Sequence, residues 1–413
     1  MTRTFRCQRA NCSLAVFVNG CETGCPSRYP HRIVEGGTIK DNPSRWRTAL
    51  QMHTITHNAF RSFSFSVVTS LLAYFTFSSP SWAEPPAFLP TAPPLEKSFF
   101  EDILTPRKKL PYALLGVNAF ANDQRFGSIR SQFREVRSTL NLKDIRVLFA
   151  WNDAIQPTPT STPFFGFYDE IARSFPPDVR VLVIITGTPS WMNDPKNWVG
   201  GDPRRTFVER WMRPVVSRYR RNSAITAFQI WNEPNNPSFA ENNTLQVTSS
   251  PGNYVQLMQM AYAAAKRIAP RKRIVMGATT AIAQNFPDTL AYNKELVSLG
   301  IQRHTDIYAI HYYGINAERV ILPNGVRPFL RSLGRPIWVT ETGKQGTLEQ
   351  LEYAERVIPF LVSSAPSIQK IFLYQFTEAT PADDTYGLRN LTPGRFLSDL
   401  YINLRDRVRK QTR

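Results

Sequence analysis

The chain has 413 residues, 42% of them hydrophobic, and 50 Lys and Arg against 32 Asp and Glu give a formal net charge of +18 at pH 7. Its four cysteines all fall within the first 25 residues, so the long remainder excludes a disulfide framework and thiol chemistry and depends on its core for stability. The positive balance admits nucleic acid, an anionic membrane surface or an acidic polymer as partner, and charge alone does not separate them.

Residues Phe63 to Phe77 form an apolar stretch, preceded by Arg61 and followed by Ser-Pro-Ser-Trp-Ala-Glu with small residues at Ser81 and Ala83. This is the build of a secretory signal peptide cleaved after Ala83. The stretch is too short to span a bilayer core, which takes about 20 mostly apolar residues, so the expected product has no stable membrane span; a permanent anchor is the alternative. Met52 opens a segment of signal-peptide length, 52–83, and makes residues 1–51 an upstream extension expected to be missing from the mature protein. Cys7, Cys12, Cys21 and Cys25, with His31 nearby, are spaced by five, nine and four and do not reproduce paired C-x-x-C zinc ligands. A zinc-linked regulatory protein built on them would require that extension to survive. The expected localisation is secreted or periplasmic.

Residues 84–109 begin with Pro85, Pro86, Pro90, Pro93 and Pro94 and read as an extended lead-in. No Gly/Ser-rich linker divides the rest of the chain, so 110–413 is expected to be one domain. Setting aside residues 1–83 leaves 41 basic and 29 acidic side chains, a charge of +12. Export disfavours nucleic acid and leaves an acidic polysaccharide, or plain solubility, to account for the basic surface.

Eight short apolar or β-branched runs start near Tyr112, Asp144, Val179, Ile225, Arg273, Asp306, Pro336 and Ile371, with helical patterns between them. Ile129, Phe133, Val136 and Leu140 share one helical face. Asp202 before Pro203 suits an N-cap and first turn ahead of Phe207, Trp211 and Val215. Thr347 with Gln350 has the capping-box pattern ahead of Leu351, Ala354, Ile358 and Leu361. The alternation predicts an α/β protein, a (β/α)8 TIM barrel; a doubly wound sheet alternates in the same way, but no phosphate-cradling glycine motif follows the first strand at Gly116.

Two glutamates close strand-like runs: Glu233 in Ile-Trp-Asn-Glu-Pro-Asn (230–235) and Glu341 in Trp-Val-Thr-Glu-Thr-Gly (338–343). Strand ends are where parallel barrels display catalytic groups. The two motifs, 108 residues apart on the fourth and seventh strands, resemble the barrel superfamily of retaining glycoside hydrolases. Within it they are most similar to the family of β-xylosidases, α-iduronidases and bacterial exopolysaccharide hydrolases, with the cellulase-like family next.

The resemblance implies Glu233 as acid/base and Glu341 as nucleophile. Two carboxyl groups suffice for such a reaction: one protonates the glycosidic oxygen while the other, ionised and about 5 Å away, attacks the anomeric carbon. By the same resemblance Arg146, in Asp-Ile-Arg-Val on the second strand, bonds the nucleophile. His311-Tyr312-Tyr313 resembles the family's His-x-Tyr, with His311 on substrate or nucleophile and Tyr313 donating to Glu341. Asn232 would bond the sugar hydroxyl beside the reacting carbon. Strand alternation points Asn232 and Glu233 to opposite faces, so both enter one site only if the backbone turns there.

Trp151, Trp191 and Trp198 lie at strand ends or in their loops and offer faces for sugar rings, with loop packing as the competing account. Where relatives place a tryptophan on the eighth strand, this chain has Leu-Tyr-Gln-Phe-Thr-Glu (373–378), making Phe376 a smaller candidate platform. Glu378 is a rival carboxylate and Asp383-Asp384 imitates a cation site; both are expected in loops or subsites. His304 is expected to be structural.

The expected activity is hydrolysis of a β-linked glycan, a polysaccharide or its fragments, without cofactor or metal. A transglycosylase using the same residues and a non-catalytic carbohydrate-binding barrel are the alternatives.

Overall fold

A run such as Val181 to Ile185, apolar at every position and no more than 1% exposed, is what a parallel strand covered on both faces requires. The computed structural model, which describes residues 102–248 and 250–411, contains eight such strands. They are β1 (Leu115–Asn118), β2 (Asp144–Ala150), β3 (Arg180–Thr186), β4 (Ile225–Ile230), β5 (Arg273–Met276), β6 (Tyr308–Tyr313), β7 (Ile337–Gly343) and β8 (Ile368–Leu373). All pairings are parallel, in the order β5-β4-β3-β2-β1-β8-β7-β6. The outer two, β5 and β6, meet at a parallel bridge between Val275 and Ile307, which closes the sheet into a (β/α)8 barrel.

The expected signal segment, the upstream extension with its cysteines and the first part of the lead-in lie outside the described residues. The last part of the lead-in packs on the helix Gln350–Ser364: Lys108 N donates to Glu355 O at 2.9 Å and Arg107 Nε to the Glu355 carboxylate at 2.8 Å. Among the described residues no helix is long and apolar enough to cross a membrane.

The strand starts follow the sequence pattern to within one residue except at three strands, of which β6 begins at Tyr308 rather than Asp306. Tyr112–Leu114 forms a 3-10 turn before β1, and β8 begins at Ile368 rather than Ile371. The helical stripe from Ile129 to Leu140 is buried as expected, yet only Ile129–Arg134 is α-helix and Glu135–Thr139 widens to a π-turn. Asp202 caps its helix, its side chain accepting from Arg204 N and Arg205 N. The capping box expected from Thr347 and Gln350 does not form. Thr347 Oγ1 instead accepts from Arg395, and Leu351 N donates to the Asp399 carboxylate at 3.0 Å, a cap supplied from 48 residues away.

At the start of β2 the buried Asp144 side chain ties three strands together, pairing with Arg180 of β3 at 2.5 Å and with Lys370 of β8. Gly116 of β1 lies opposite, where a Cβ would come within 2.6 Å of Asp144 O. These contacts belong to the base of the barrel, the end away from the strand C-termini.

Candidate active site

At the C-terminal ends of the strands the side chains of Glu233, Glu341 and His311 converge, all nearly inaccessible to water. One oxygen of each glutamate and a ring nitrogen of His311 lie within 4.8 Å of one another. So close an approach fits the about 5–5.5 Å between carboxyl groups that direct nucleophilic attack uses, and not the about 6.5–9.5 Å that leaves room for an intervening water.

Local backbone irregularities aim both groups. β4 ends at Ile230, and Trp231 and Glu233 adopt left-handed φ values of 72° and 40°, uncommon for side chains of this size. The chain therefore turns at Trp-Asn-Glu, and Asn232 and Glu233 enter the same site despite being neighbours. Trp231 faces outward, its indole N–H donating to Asn242 Oδ1 at 2.6 Å. Gly277, just after β5, leaves room for the turn, since a Cβ there would meet Trp231 O at 2.8 Å. In β7 the pairing shifts: Val339 pairs with Ile310 but Glu341 with His311, so Thr340 is an extra residue, a bulge that re-aims Glu341.

Arg146 organises the floor of the site and is fully buried. Its Nη1 donates to Glu341 Oε1 and to Asn118 Oδ1, both at 2.7 Å, its Nη2 to Asn232 Oδ1 at 3.0 Å and its Nε to Gln229 Oε1 at 2.9 Å. A buried guanidinium with its donors this fully engaged is held rigidly. The other oxygen of Glu341 accepts from Tyr313 OH at 3.1 Å. Nδ1 of His311 stands 3.0 Å from Glu233 Oε1, while its Nε2 is 3.4 Å from Glu341 Oε1 without hydrogen-bond alignment. Asn236 Nδ2 donates to Glu233 Oε2 at 2.8 Å.

Six residues singled out in the sequence thus gather at one site as two hydrogen-bonded groups, Arg146 with Asn232, Glu341 and Tyr313, and Glu233 with His311, which meet where His311 Nε2 approaches Glu341 at 3.4 Å. The aromatic candidates are not part of it. Trp151 is 1% exposed and sits in the helix-facing layer, stacked on Trp211 and edge-on to Trp191. Alternation along β2 explains this: Arg146 points inward, so Phe149 and Trp151 point out toward the helices. Phe376 is fully buried in the main core and presents no face to a ligand. Trp191 is half-buried, its indole N–H donating to Gln156 O at 2.9 Å, and Trp198 likewise donates to Met192 O.

Asn118, Gln229 and Asn236 were not anticipated. Asn118 closes β1 and Gln229 precedes the end of β4, so a polar residue at the end of an apolar run was their signal; Asn236 follows Glu233 by three in Asn-Glu-Pro-Asn-Asn. Also unforeseen is an aromatic group of Phe120, Tyr313, Tyr374 and Tyr386 beside Glu341, with edge-on contacts of 5.7 to 6.4 Å between ring centres. Glu378 supports this group from behind, its Oε2 accepting from Tyr386 N at 2.6 Å and Thr385 Oγ1 at 3.0 Å; burial pushes its carboxyl above the usual range. Asp383 pairs with Arg395 at 2.7 Å. His304 is half-buried at the end of a 3-10 turn away from the cluster, and burial lowers its pKa.

Glu233, His311 and Glu341 are, among the described residues, the one group that could gather three metal ligands. A cation there would face the Arg146 guanidinium 2.7 Å from the Glu341 oxygen, and both histidine nitrogens are turned to carboxylates. That charge distribution suits a reacting carbon between two carboxyl groups better than a metal.

Comparison with known proteins agrees with this geometry. Residues 202–390 match a family model described as the glycosyl hydrolase catalytic core. A family 39 glycoside hydrolase from the gut symbiont Bacteroides cellulosilyticus WH2 shares the fold with a TM-score of 0.50 at 15% identity, over 72% of this chain and 63% of that one. A family 39 β-xylosidase from Caulobacter crescentus aligns with a TM-score of 0.51 at 16% identity, over 73% and 72%. An exo-β-1,4-mannosidase from Opitutaceae bacterium strain TAV5 gives 0.50 at 14%, over 74% and 60%. The matched part of the chain spans less than two thirds of the first and third of these proteins. A comparison with curated proteins finds no match.

Proposed function

We propose that this chain is a retaining glycoside hydrolase on a (β/α)8 barrel, cleaving β-linked glycans by double displacement with Glu341 as nucleophile and Glu233 as acid/base, a reading supported by the match of residues 202–390 to a glycosyl hydrolase catalytic core. The observation that carries the assignment is the approach of the two carboxylates to within 4.8 Å, each beside one ring nitrogen of His311. In the first step a Glu341 oxygen attacks the anomeric carbon, the bond to the glycosidic oxygen breaks, and that oxygen takes the proton of Glu233. In the second step Glu233 removes a proton from water, the water oxygen attacks the same carbon, and Glu341 leaves as a carboxylate.

The surrounding groups divide this work. Arg146 and Tyr313 each donate to one oxygen of Glu341 and hold it in a single orientation as charge leaves it and returns. Asn232 uses its carbonyl oxygen on Arg146, which leaves its amide N–H groups for the hydroxyl next to the reacting carbon. The aromatic group of Phe120, Tyr374 and Tyr386 takes the place expected of Phe376 as the apolar wall beside that sugar. The apolar segment Phe63–Phe77 supports action outside the cytoplasm.

Azide separates the two carboxyl roles on an aryl β-glycoside. Glu341→Ala abolishes turnover, and azide entering the vacated position yields the α-glycosyl azide. Glu233→Ala slows the enzyme by about 10²- to 10⁴-fold, most for poor leaving groups, and azide yields the β-glycosyl azide. A first product with inverted anomeric configuration, or turnover by Glu341→Ala without added nucleophile, overturns the assignment.

A further inference from the structure

Outside the barrel mouth, a cavity of about 370 Å³ opens between the helices that follow β3 and the helix Pro251–Ile268. That volume is in the range of small-ligand sites. Met260, Ala263, Ala264 and Arg267 line it from one face of the helix Pro251–Ile268, and Arg205 and Arg213 line it from the helices after β3. Arg213 is neutralised by Glu209 at 2.7 Å one helical turn away. Arg205 and Arg267 differ: among the described residues their guanidiniums make no hydrogen bond or ion pair. Asp202, the nearby carboxylate, is occupied in capping its helix and pairing with Arg204 at 3.0 Å.

Two unpaired guanidinium forks beside an apolar wall call for a ligand with carboxylate groups and a flat C–H face. A phosphate or sulfate would satisfy the arginines but have no use for Met260 and the two alanines. A pyranose carboxylated at its rim meets both demands, because its ring face packs on apolar side chains while each carboxylate accepts two parallel N–H bonds. The net charge of +12 from residue 84 onward adds a long-range attraction for such a polymer.

We infer that this cavity is a second carbohydrate site, separate from the catalytic one, that binds uronic-acid residues of an acidic polysaccharide and holds the chain near the barrel. Such a site names the substrate class of the proposed glycosidase and rests on that reading for its purpose, though binding is measurable whether or not the catalytic assignment holds. Neutral oligosaccharides have no carboxylate for Arg205 and Arg267 and gain little there.

Calorimetric titration with tetragalacturonate and with xylotetraose tests it, using the full chain, the Arg205→Ala/Arg267→Ala double variant and the Arg205→Lys/Arg267→Lys variant. The expected result is binding of tetragalacturonate that weakens with salt, falls by about tenfold or more in the alanine variant and is partly kept in the lysine variant, with much weaker binding of xylotetraose. Turnover of a small aryl β-glycoside is unchanged in the double variant, because neither arginine lies in the catalytic cluster. Equal binding of the acidic and neutral tetrasaccharides, no binding of the acidic one, or full affinity in the alanine variant each overturns the inference. Loss of aryl-glycoside turnover in wild type with retained tetragalacturonate binding refutes the catalytic reading and leaves this one standing.

Discussion

Asn236 and His311 hold Glu233 by different oxygens, at 2.8 Å and 3.0 Å. A carboxyl group that must give up a proton and later take one back gains from being fixed at both oxygens, since rotation would carry the proton away from the glycosidic oxygen. Asn236→Ala is expected to lower kcat/KM by about tenfold, the size of one lost hydrogen bond to a charged or polarised group. Because Asn236 acts through Glu233, adding Asn236→Ala to Glu233→Ala should cost nothing further, and a double-variant cycle in which the two losses add would show that it acts elsewhere. Single residues also account for the failure of the aromatic candidates. Nothing in the identity of Trp151 distinguishes a sugar platform from a core side chain; its parity with Arg146 along β2 does, and it assigns Trp151 to the helix-facing layer.

Among the elements, the strands carry the pattern most openly and the helix ends least. β-strands buried on both faces are written as unbroken apolar runs, so five of the eight starts were legible to within one residue. Helix caps draw on distant groups, as Asp399 does for the helix Gln350–Ser364, and a local motif at Thr347 and Gln350 does not reveal them. Neighbouring helices are also tied through side chains: Arg218 forks onto Asp169 at 2.7 and 2.5 Å, joining Arg213–Tyr219 to Gly166–Ser174. The hydrogen bond from Arg218 holds the Asp169 carboxyl below its ordinary value of 3.8, so the pairing stabilises the fold at and above that pH and is lost as pH falls through the lowered value. Arg218→Ala should therefore cost up to about 1 kcal/mol at neutral pH, held to that by the exposure of the arginine, and the gap to wild type should close in strong acid. Urea midpoints at both pH values check this; a gap that widens in acid contradicts it.

For the molecule as a whole, the barrel separates stability at its base from chemistry at its mouth. Asp144 is 2% exposed and anchors cations from β3 and β8, one of them Lys370, whose pKa burial lowers. Asp144→Ala leaves those cations facing each other and should destabilise the protein by about 2 kcal/mol, seen as a lower urea midpoint, while kcat per folded molecule stays unchanged. A fall in kcat without a fall in stability would break the separation. The order of residues by itself determined the barrel, because periodic burial and polar strand ends are local properties written along the chain, while the two glutamates and four of their neighbours were legible through motifs that resemble a known family. Only the tertiary structure decided that the chain turns at Trp231 and Glu233 and bulges at Thr340, that Asn118, Gln229 and Asn236 join the site, and that Tyr374 and Tyr386, rather than Phe376 or Trp151, stand on the Glu341 side of it. Those outcomes depend on closing eight strands into one ring, which sets register and facing between residues more than 200 positions apart, such as Asn118 and Thr340, and no short stretch of sequence contains that constraint.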